Sequence, residues 1–352
     1  MDNEEILLFI GSAEIQVIAA MRMIDANSHG ILFITENNKL VGCVTDGDIR
    51  RWLIKTGDLN ALVRNFMIKE PKYVYQVNVN DAIRICNEYE INIVPILNSQ
   101  DEIVDIYIHK KHSIKKRNNE LHNIPLVIMA GGKGTRLYPY TQILPKPLIP
   151  IGEKTITEWI IERFRNYGCD KVDMIVNYKK HFIESYFQDS EVPYNVGFIE
   201  EKEFMGTGGG LKLLEGRYVD TFFLSNCDIL IDEDYSDIYR LHKEQNNIIT
   251  MVCAIKNVTI PYGVVKMSKD GTPIGLVEKP EMSFMTNTGL YVIDSRFLDY
   301  IPRNTFIHIT EIIQKCIESD ENVGIYPISE ENWMDMGQLE ELDRMKRKLS
   351  ID

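Results

Sequence analysis

The segment Gly131-Gly132-Lys133-Gly134-Thr135-Arg136-Leu137 follows directly on a continuous apolar run, Ile124–Ala130. Glycines at such a place let the backbone turn tightly and carry several N–H groups against phosphate oxygens, with no Cβ in the way. The spacing excludes two common phosphate loops. One requires Ser or Thr after its lysine, but Lys133 is followed by Gly134; the dinucleotide fingerprint requires a third glycine where Leu137 stands. Ten residues beyond Arg136, Lys146 lies between Pro145 and Pro147, whose fixed φ stiffens the backbone around it. A lysine held in this way suits a point-charge contact with phosphate, and Arg136 can fork onto two oxygens at once.

These residues resemble the signature of sugar-1-phosphate nucleotidyltransferases, G-G-x-G-T-R-L followed by P-K-P. The resemblance runs from about Pro125 to the C-terminus, and further motifs arrive in order. They are E-x-x-x-x-G-T-G-G at Glu201–Gly209, N-x-D at Asn226–Asp228 and Y-G-V-V at Tyr262–Val265. Then come E-K-P at Glu278–Pro280, N-x-G-x-Y at Asn287–Tyr291 and W-x-D-x-G at Trp333–Gly337. The resemblance implies attack of a sugar-1-phosphate oxygen on the α-phosphorus of a nucleoside triphosphate, with pyrophosphate leaving. Two polyanions must approach each other, so positioning and charge neutralisation carry the catalysis and no covalent enzyme intermediate is required.

The same resemblance assigns roles. Arg136 and Lys146 meet the triphosphate and its developing charge, with Asp228 as the third catalytic residue. Ala130, Gly131, Gly132, Gly134 and Thr135 cradle the nucleotide, whose base meets Glu201, Gly206, Thr207 and Gly208. Asp228 and Asp335 hold a catalytic Mg²⁺, an ion that favours one or two carboxylates plus water and phosphate oxygens. Glu278 takes sugar hydroxyls, Lys279 the sugar phosphate, and Asn287 with the Gly263 backbone the sugar ring. The acidic turn Asp232-Glu233-Asp234 reads as solvated loop.

Guanine presents N1–H and N2–H₂ side by side, an edge that a carboxylate accepts in bidentate fashion. Uracil and thymine offer one N3–H between two carbonyls, which an amide complements better. The base-recognition stretch begins Glu200-Glu201 and holds no glutamine, and Gly206–Gly209 can press backbone close to a base. This favours GTP over UTP or dTTP, and the motif form looks closest to heptose- and hexosamine-1-phosphate guanylyltransferases. The sequence does not name the sugar.

The elements that must position these groups alternate. Ile156, Trp159, Ile160, Phe164 and Tyr167 fall at helical spacing, with Gly168 where a C-terminal cap glycine belongs and a strand, Lys171–Val176, next. A run apolar on both faces, such as Ile124–Ala130, belongs inside a parallel sheet. The expected fold is α/β, a Rossmann-like mixed, mostly parallel sheet with ligands at the strand C-termini, preceded by a smaller α+β module.

That module contains an internal repeat. Ala20–Ile24 and Ala82–Cys86 share their apolar spacing at an offset of 62, and each is followed by strand, polar turn and strand: Ile31–Ile34 and Leu40–Thr45, then Ile93–Leu97 and Ile103–Ile108. The first copy closes with Gly42-Cys43-Val44-Thr45-Asp46-Gly47-Asp48-Ile49. This resembles a tandem pair of CBS domains. The resemblance implies that an adenine nucleotide such as AMP binds with its ribose on Asp48 and its phosphate near Thr45. The polar turn is one residue longer in the second copy, so at an offset of 63 Ile108 and Lys111 stand at those positions, and one such site is expected rather than two. The other reading is that Asp48 caps the following helix. A CBS pair in front of this catalytic domain resembles the glucosamine-1-phosphate guanylyltransferases of legionaminic acid synthesis. CBS modules commonly pair, so a homo-oligomer is expected by analogy.

His109–Asn123 is basic and polar between apolar runs, which sets the expected division at 1–115 for the CBS pair, 116–123 for a linker and 124–352 for the nucleotidyltransferase domain. Net charge is −13 and the pI about 5.1, so broad binding to nucleic acid or an anionic membrane is not expected. The start Met1-Asp2-Asn3-Glu4-Glu5 is acidic where a signal peptide would be basic, and six scattered cysteines form no Cys-x-x-Cys pair. The expected setting is cytoplasmic, with reduced thiols. Two rival functions meet contrary residues. A glycosyltransferase would lack Arg136 and Lys146 and would usually carry D-x-D where Asn226-Cys227-Asp228 stands. A catalytically dead nucleotide sensor has no use for Arg136, Lys146, Asp228 and Asp335 together.

Overall fold

The computed structural model describes residues 3–75, 79–109, 119–189, 194–337 and 339–348; Lys111 and residues 116–118 of the expected linker lie outside them. The chain divides into two compact units, Met1–Ile114 with Lys256–Phe284, and Lys115–Ile255 with Met285–Asp352.

The first unit repeats one motif. It opens with α1 (Asn3–Leu7), β1 (Ile10–Ser12), α2 (Val17–Asn27), the hairpin β2 (Ile31–Glu36) and β3 (Lys39–Thr45), and α3 (Asp46–Thr56). The second copy runs β4 (Val74–Tyr75), α4 (Val79–Glu88), β5 (Ile93–Leu97) and β6 (Ile103–Ile108). In each copy the first strand is parallel to the second and the second antiparallel to the third. Asn37 and Asn38 turn the first hairpin with φ of 50° and 65°, the double left-handed geometry of a two-residue turn. The copies share a core in which Ile6, Phe9, Phe33 and Cys43 meet Ile93 and Ile106. Neither copy could bury that face alone.

The second unit begins with β7 (Leu126–Met129), α5 (Tyr140–Ile143), the hairpin β8 (Pro150–Ile151) and β9 (Lys154–Thr155), and α6 (Ile156–Arg165). It continues with β10 (Val172–Val176), α7 (Lys180–Asp189), β11 (Val196–Glu200) and α8 (Gly206–Gly209). Next come β12 (Phe222–Asn226), β13 (Ile229–Ile231), α9 (Tyr235–Glu244) and β14 (Ile249–Thr259). A hairpin of β15 (Val264–Met267) and β16 (Pro273–Val277) belongs to the first unit. The chain then forms β17 (Glu281–Ile293), α10 (Ile309–Glu318), β18 (Val323–Ser329), β19 (Trp333–Asp335) and α11 (Leu339–Lys348).

Seven of these strands make one sheet, in the order β11-β10-β7-β12-β17-β14-β18. β11, β10, β7 and β12 run parallel, β17 is antiparallel to β12, and β18 is parallel to β14. Both faces are covered, as the apolar runs require. Leu126 and Ile128 of β7 pack on one side with Ile160 and Phe164 of α6, while Val127 packs on the other with Ile312 and Cys316 of α10. Successive strand residues point to opposite faces, so a central strand must be apolar throughout. α6 starts at a capping box in which Thr155 and Glu158 exchange hydrogen bonds, and Gly168 takes φ 90° just beyond its end.

Candidate active site

The carboxyl ends of β7, β11 and β12 open into a cavity of about 300 Å³. Its lining includes Gly131, Gly132, Gly134, Thr135, Arg136 and Lys146. Glu201, Thr207 and Asp228 complete the expected part of the lining. Clustering at the carboxyl ends of parallel strands follows from the sheet: each strand delivers its following loop to the same edge.

The glycines differ in what they permit. Gly134 has φ 64°, and a Cβ there would stand 2.9 Å from Thr141 Cγ2 and 3.1 Å from Lys146 Cβ, so tight local packing requires glycine. A Cβ on Gly131 would lie 3.0 Å from Glu201 Oε2. A Cβ on Gly132 would meet nothing of the chain within 4 Å, so the bare backbone faces the cavity. Ala130 is fully buried and extends β7 by donating its N–H to Ile175 O at 2.8 Å, behind the cavity rather than in its lining. Arg136 is exposed and has no side-chain partner among the described residues.

Lys146 forms an ion pair with Asp228 across 82 positions of sequence. Burial alone would lower the Lys146 pKa, but the charge and hydrogen bond of Asp228, together with the charge of Asp335, hold it above the ordinary lysine value. Asp335 reaches the same neighbourhood because β13 pairs antiparallel with β19, setting Ile229 opposite Asp335, and Met336 donates its N–H to Asp228 O at 2.8 Å. Burial, then the Asp228 carboxylate, raise the pKa of Asp335. Gly337 donates its N–H to Asp335 Oδ1 at 2.8 Å, which fixes the carboxylate, and a Cβ at this position would stand 3.1 Å from the same oxygen, which accounts for the glycine in W-x-D-x-G. Asp335 lies outside the cavity lining, and its carboxylate is near enough to Asp228 and Lys146 for their charges to act on one another; aspartate oxygens are the donors that a hard divalent cation takes.

Glu201 is 1% exposed. Its Oε1 accepts the Met205 N–H at 2.8 Å, and its Oε2 is buried without a hydrogen-bond partner among the described residues. Burial raises its pKa against the pull of that backbone donor. An acceptor left open beside the glycine turn is expensive unless something fills it.

Five cavity-lining residues were not assigned to the site from the sequence: Met129 and Leu137, which flank the glycine turn; Phe204, 47% exposed, with Phe306 edge-on at 6.0 Å; Asn226, whose side chain crowds Gly289; and buried Cys227. The available signal for Phe204 is an exposed-type aromatic inside the glutamate–glycine motif. Gly206 and Gly208 are outside the lining. Their missing Cβ atoms admit the 305–309 segment instead: a Cβ on Gly206 would stand 2.6 Å from Ile307 O, and one on Gly208 2.8 Å from Ile309 N. The backbone approach expected toward a base is therefore made to the chain itself at these two positions.

The expected sugar residues fall in both units. Gly263, Glu278 and Lys279 lie with the first, where a Gly263 Cβ would stand 3.1 Å from Glu278 Oε2 and Lys279, at φ 44°, donates its N–H to Tyr262 O. Asn287 lies in the second and donates to Tyr291 OH at 2.7 Å. Asp234 caps α9 through Ser236 and Asp237, a structural use of the acidic turn.

A nucleotidyl transferase family model matches residues 126–350, more than half of the chain. The chain belongs to this family. A CBS domain model matches residues 12–55. Family relatives include the UTP–glucose-1-phosphate uridylyltransferase of Synechocystis sp., 31% identical over 234 residues that cover 60% of each chain. The mannose-1-phosphate guanylyltransferase of Mycobacterium tuberculosis is 26% identical over 63% of this chain and 64% of its own. The bifunctional protein GlmU of Methanocaldococcus jannaschii is 31% identical over 56% of this chain and 48% of its own. The chain thus spans 48–64% of the length of these relatives. The crystal structure of HddC from Yersinia pseudotuberculosis shares the fold, with a TM-score of 0.51 at 23% identity over 64% of this chain and 99% of that one.

In the first unit, Asp48 is 8% exposed and its carboxylate is engaged at the β3–α3 junction. Oδ2 accepts the Thr45 N–H at 2.9 Å and the Thr45 hydroxyl at 2.6 Å, while Oδ1 pairs with Arg51. Thr45 also lines a separate cavity of about 420 Å³ with His29, Phe33, Lys72, Tyr89 and Asn92. All six cysteines are buried and free, and no helix among the described residues is long and apolar enough to cross a membrane.

Proposed function

We propose that this protein transfers a nucleoside monophosphate, GMP from GTP, to a sugar-1-phosphate and releases pyrophosphate. The observation that carries the reading is the common cavity of the glycine turn, Arg136, Lys146, Asp228 and Glu201. Backbone N–H groups of the turn and the Arg136 fork hold the triphosphate. Lys146, kept charged by its carboxylate neighbours, lowers the repulsion between the incoming sugar phosphate and the α-phosphate. Asp228 and Asp335 would hold Mg²⁺, which when bound supplies charge neutralisation at the phosphate oxygens. Glu278, Lys279, Asn287 and the Gly263 backbone serve the sugar phosphate.

The buried carboxylate of Glu201 supports guanine. Its open Oε2 answers one guanine donor, and Oε1 can serve a second alongside the Met205 N–H, since a carboxylate oxygen carries two acceptor sites. Uracil and thymine, offering one donor, remain the alternatives, and a hexosamine phosphate such as glucosamine-1-phosphate is the proposed acceptor. The deciding experiment is a matrix of five nucleoside triphosphates against hexosamine-, heptose- and hexose-1-phosphates, read by pyrophosphate release. GTP should lead, and Glu201→Gln should weaken GTP use about tenfold and narrow the gap to UTP, the scale of one charged hydrogen bond. Unchanged kinetics with both nucleotides would remove Glu201 from base recognition. Release of nucleoside diphosphate from a preformed nucleotide-sugar would instead indicate a glycosyltransferase.

A further inference from the structure

The short helix α5 ends with its last carbonyls lacking helical donors, as every helix does. Lys179, in the loop after β10, supplies them. Its Nζ lies 3.3 Å from Thr141 O, 2.5 Å from Gln142 O and 2.9 Å from Ile143 O, so all three ammonium protons are engaged. Lys179 adopts φ 52°, an uncommon conformation for a side-chain-bearing residue, and the three contacts repay it. The contact continues inward. Thr141, 2% exposed, donates its hydroxyl to Gly134 O at 2.9 Å, and its methyl bounds the space beside Gly134 and Lys146.

The two residues before Lys179 grip the other side of the cavity. Tyr178 donates its N–H to Gly131 O at 3.4 Å, and Asn177 Nδ2 donates to Glu201 O at 2.6 Å. Three consecutive residues thus touch the start of the glycine turn, the support of its end and the base loop, and the cavity lining includes none of the three.

We propose that Asn177-Tyr178-Lys179 is the brace that sets the glycine turn for the triphosphate, with Lys179 as a positioning residue acting through Thr141 and Gly134. The proposal rests on the nucleotidyltransferase reading. A turn whose N–H groups are fixed before the ligand arrives loses less on binding, and misplacement by a fraction of an ångström weakens every contact it makes.

The test compares wild type with Lys179→Met, Lys179→Arg and Thr141→Val. Steady-state pyrophosphate release gives kcat and both KM values; titration with a fluorescent N-methylanthraniloyl GTP gives nucleotide affinity. Lys179→Met should weaken nucleotide affinity and kcat/KM for GTP at least tenfold, with the sugar-1-phosphate KM changed less than twofold. Lys179→Arg should recover part of the loss. Thr141→Val, which removes one hydroxyl and no charge, should lose three- to tenfold, and the double variant Lys179→Met/Thr141→Val no more than Lys179→Met alone. Should Lys179→Met not fold, Thr141→Val and Lys179→Arg decide the matter by the same affinities. A lower melting temperature with unchanged nucleotide affinity and kcat/KM would overturn the brace. Absence of pyrophosphate release by wild type from every nucleotide would instead overturn the reading of function, and the affinity titration would still judge the brace.

Discussion

Glu201 carries two opposed requirements on one carboxyl group. Burial penalises its charge and raises its pKa, while acceptance of two guanine donors requires that charge. A group whose folded pKa lies above its unfolded value favours folding below the ordinary carboxylate range and loses that contribution as pH rises through the folded value. Glu201→Gln should therefore be more stable than wild type at pH 8, with the difference closing toward pH 4, as followed by denaturant melts. Over the same window GTP affinity of the wild type should fall on acidification, because the protonated acid offers a donor where an acceptor is wanted. A stability difference independent of pH would mean that the carboxyl titrates alike in the folded and unfolded chain, with no raised pKa. Asp48 is the contrasting case. Its two oxygens are taken by Thr45 and Arg51, so its present use is that of a capping residue, and any nucleotide must compete with those bonds.

At the scale of elements, the glycines of two loops serve different ends, and substitution separates them. Gly132→Ala adds a methyl that meets no atom of the chain, so the melting temperature should stay within a degree or two while GTP affinity falls, because the methyl enters the cavity. Gly208→Ala would drive a methyl to 2.5 Å from Ile312 Cδ1 and 2.8 Å from Ile309 N, and backbone cannot yield cheaply there. It should cost about 1–3 kcal/mol of stability, the usual penalty of overpacking. Paired thermal melts and nucleotide titrations check both. The reverse outcome would exchange the roles of the two loops. α8 is thus a packing device against the start of α10, bonded through Gly208 and Gly209 N–H to Ile307 O at 3.0 and 3.2 Å.

For the whole molecule, the segment expected on the sugar side, 256–284, groups with residues 1–114, away from the sequence neighbours on either side of it. Within that unit Arg22 of α2 forms an ion pair with Glu281, two residues from Lys279. The module that resembles a nucleotide sensor and the residues proposed for the sugar phosphate therefore share one compact unit. An adenine nucleotide bound to the first unit should shift the melting temperature and alter the KM for sugar-1-phosphate more than that for GTP. Asp48→Ala should abolish the shift while costing about 1 kcal/mol as a lost cap. Calorimetry and kinetics with and without AMP measure both effects, and no shift in wild type at millimolar AMP would leave the module a structural one.

Much of this was legible in the residues. The repeat, the apolar strand before the glycine turn and the helix at Ile156 follow from periodicity, because local spacing dictates which face is apolar. The ordered motifs carried the family and the candidate residues. Spacing could not tell that Gly206 and Gly208 make room for the 305–309 backbone, that Glu201 is left with an open acceptor, or that Lys179 reaches α5. Nor could it group 256–284 with the N-terminal module. Those facts are contacts between segments far apart in sequence, set by the sheet order and by the burial that strand pairing imposes, and only the folded chain brings their atoms within reach of one another.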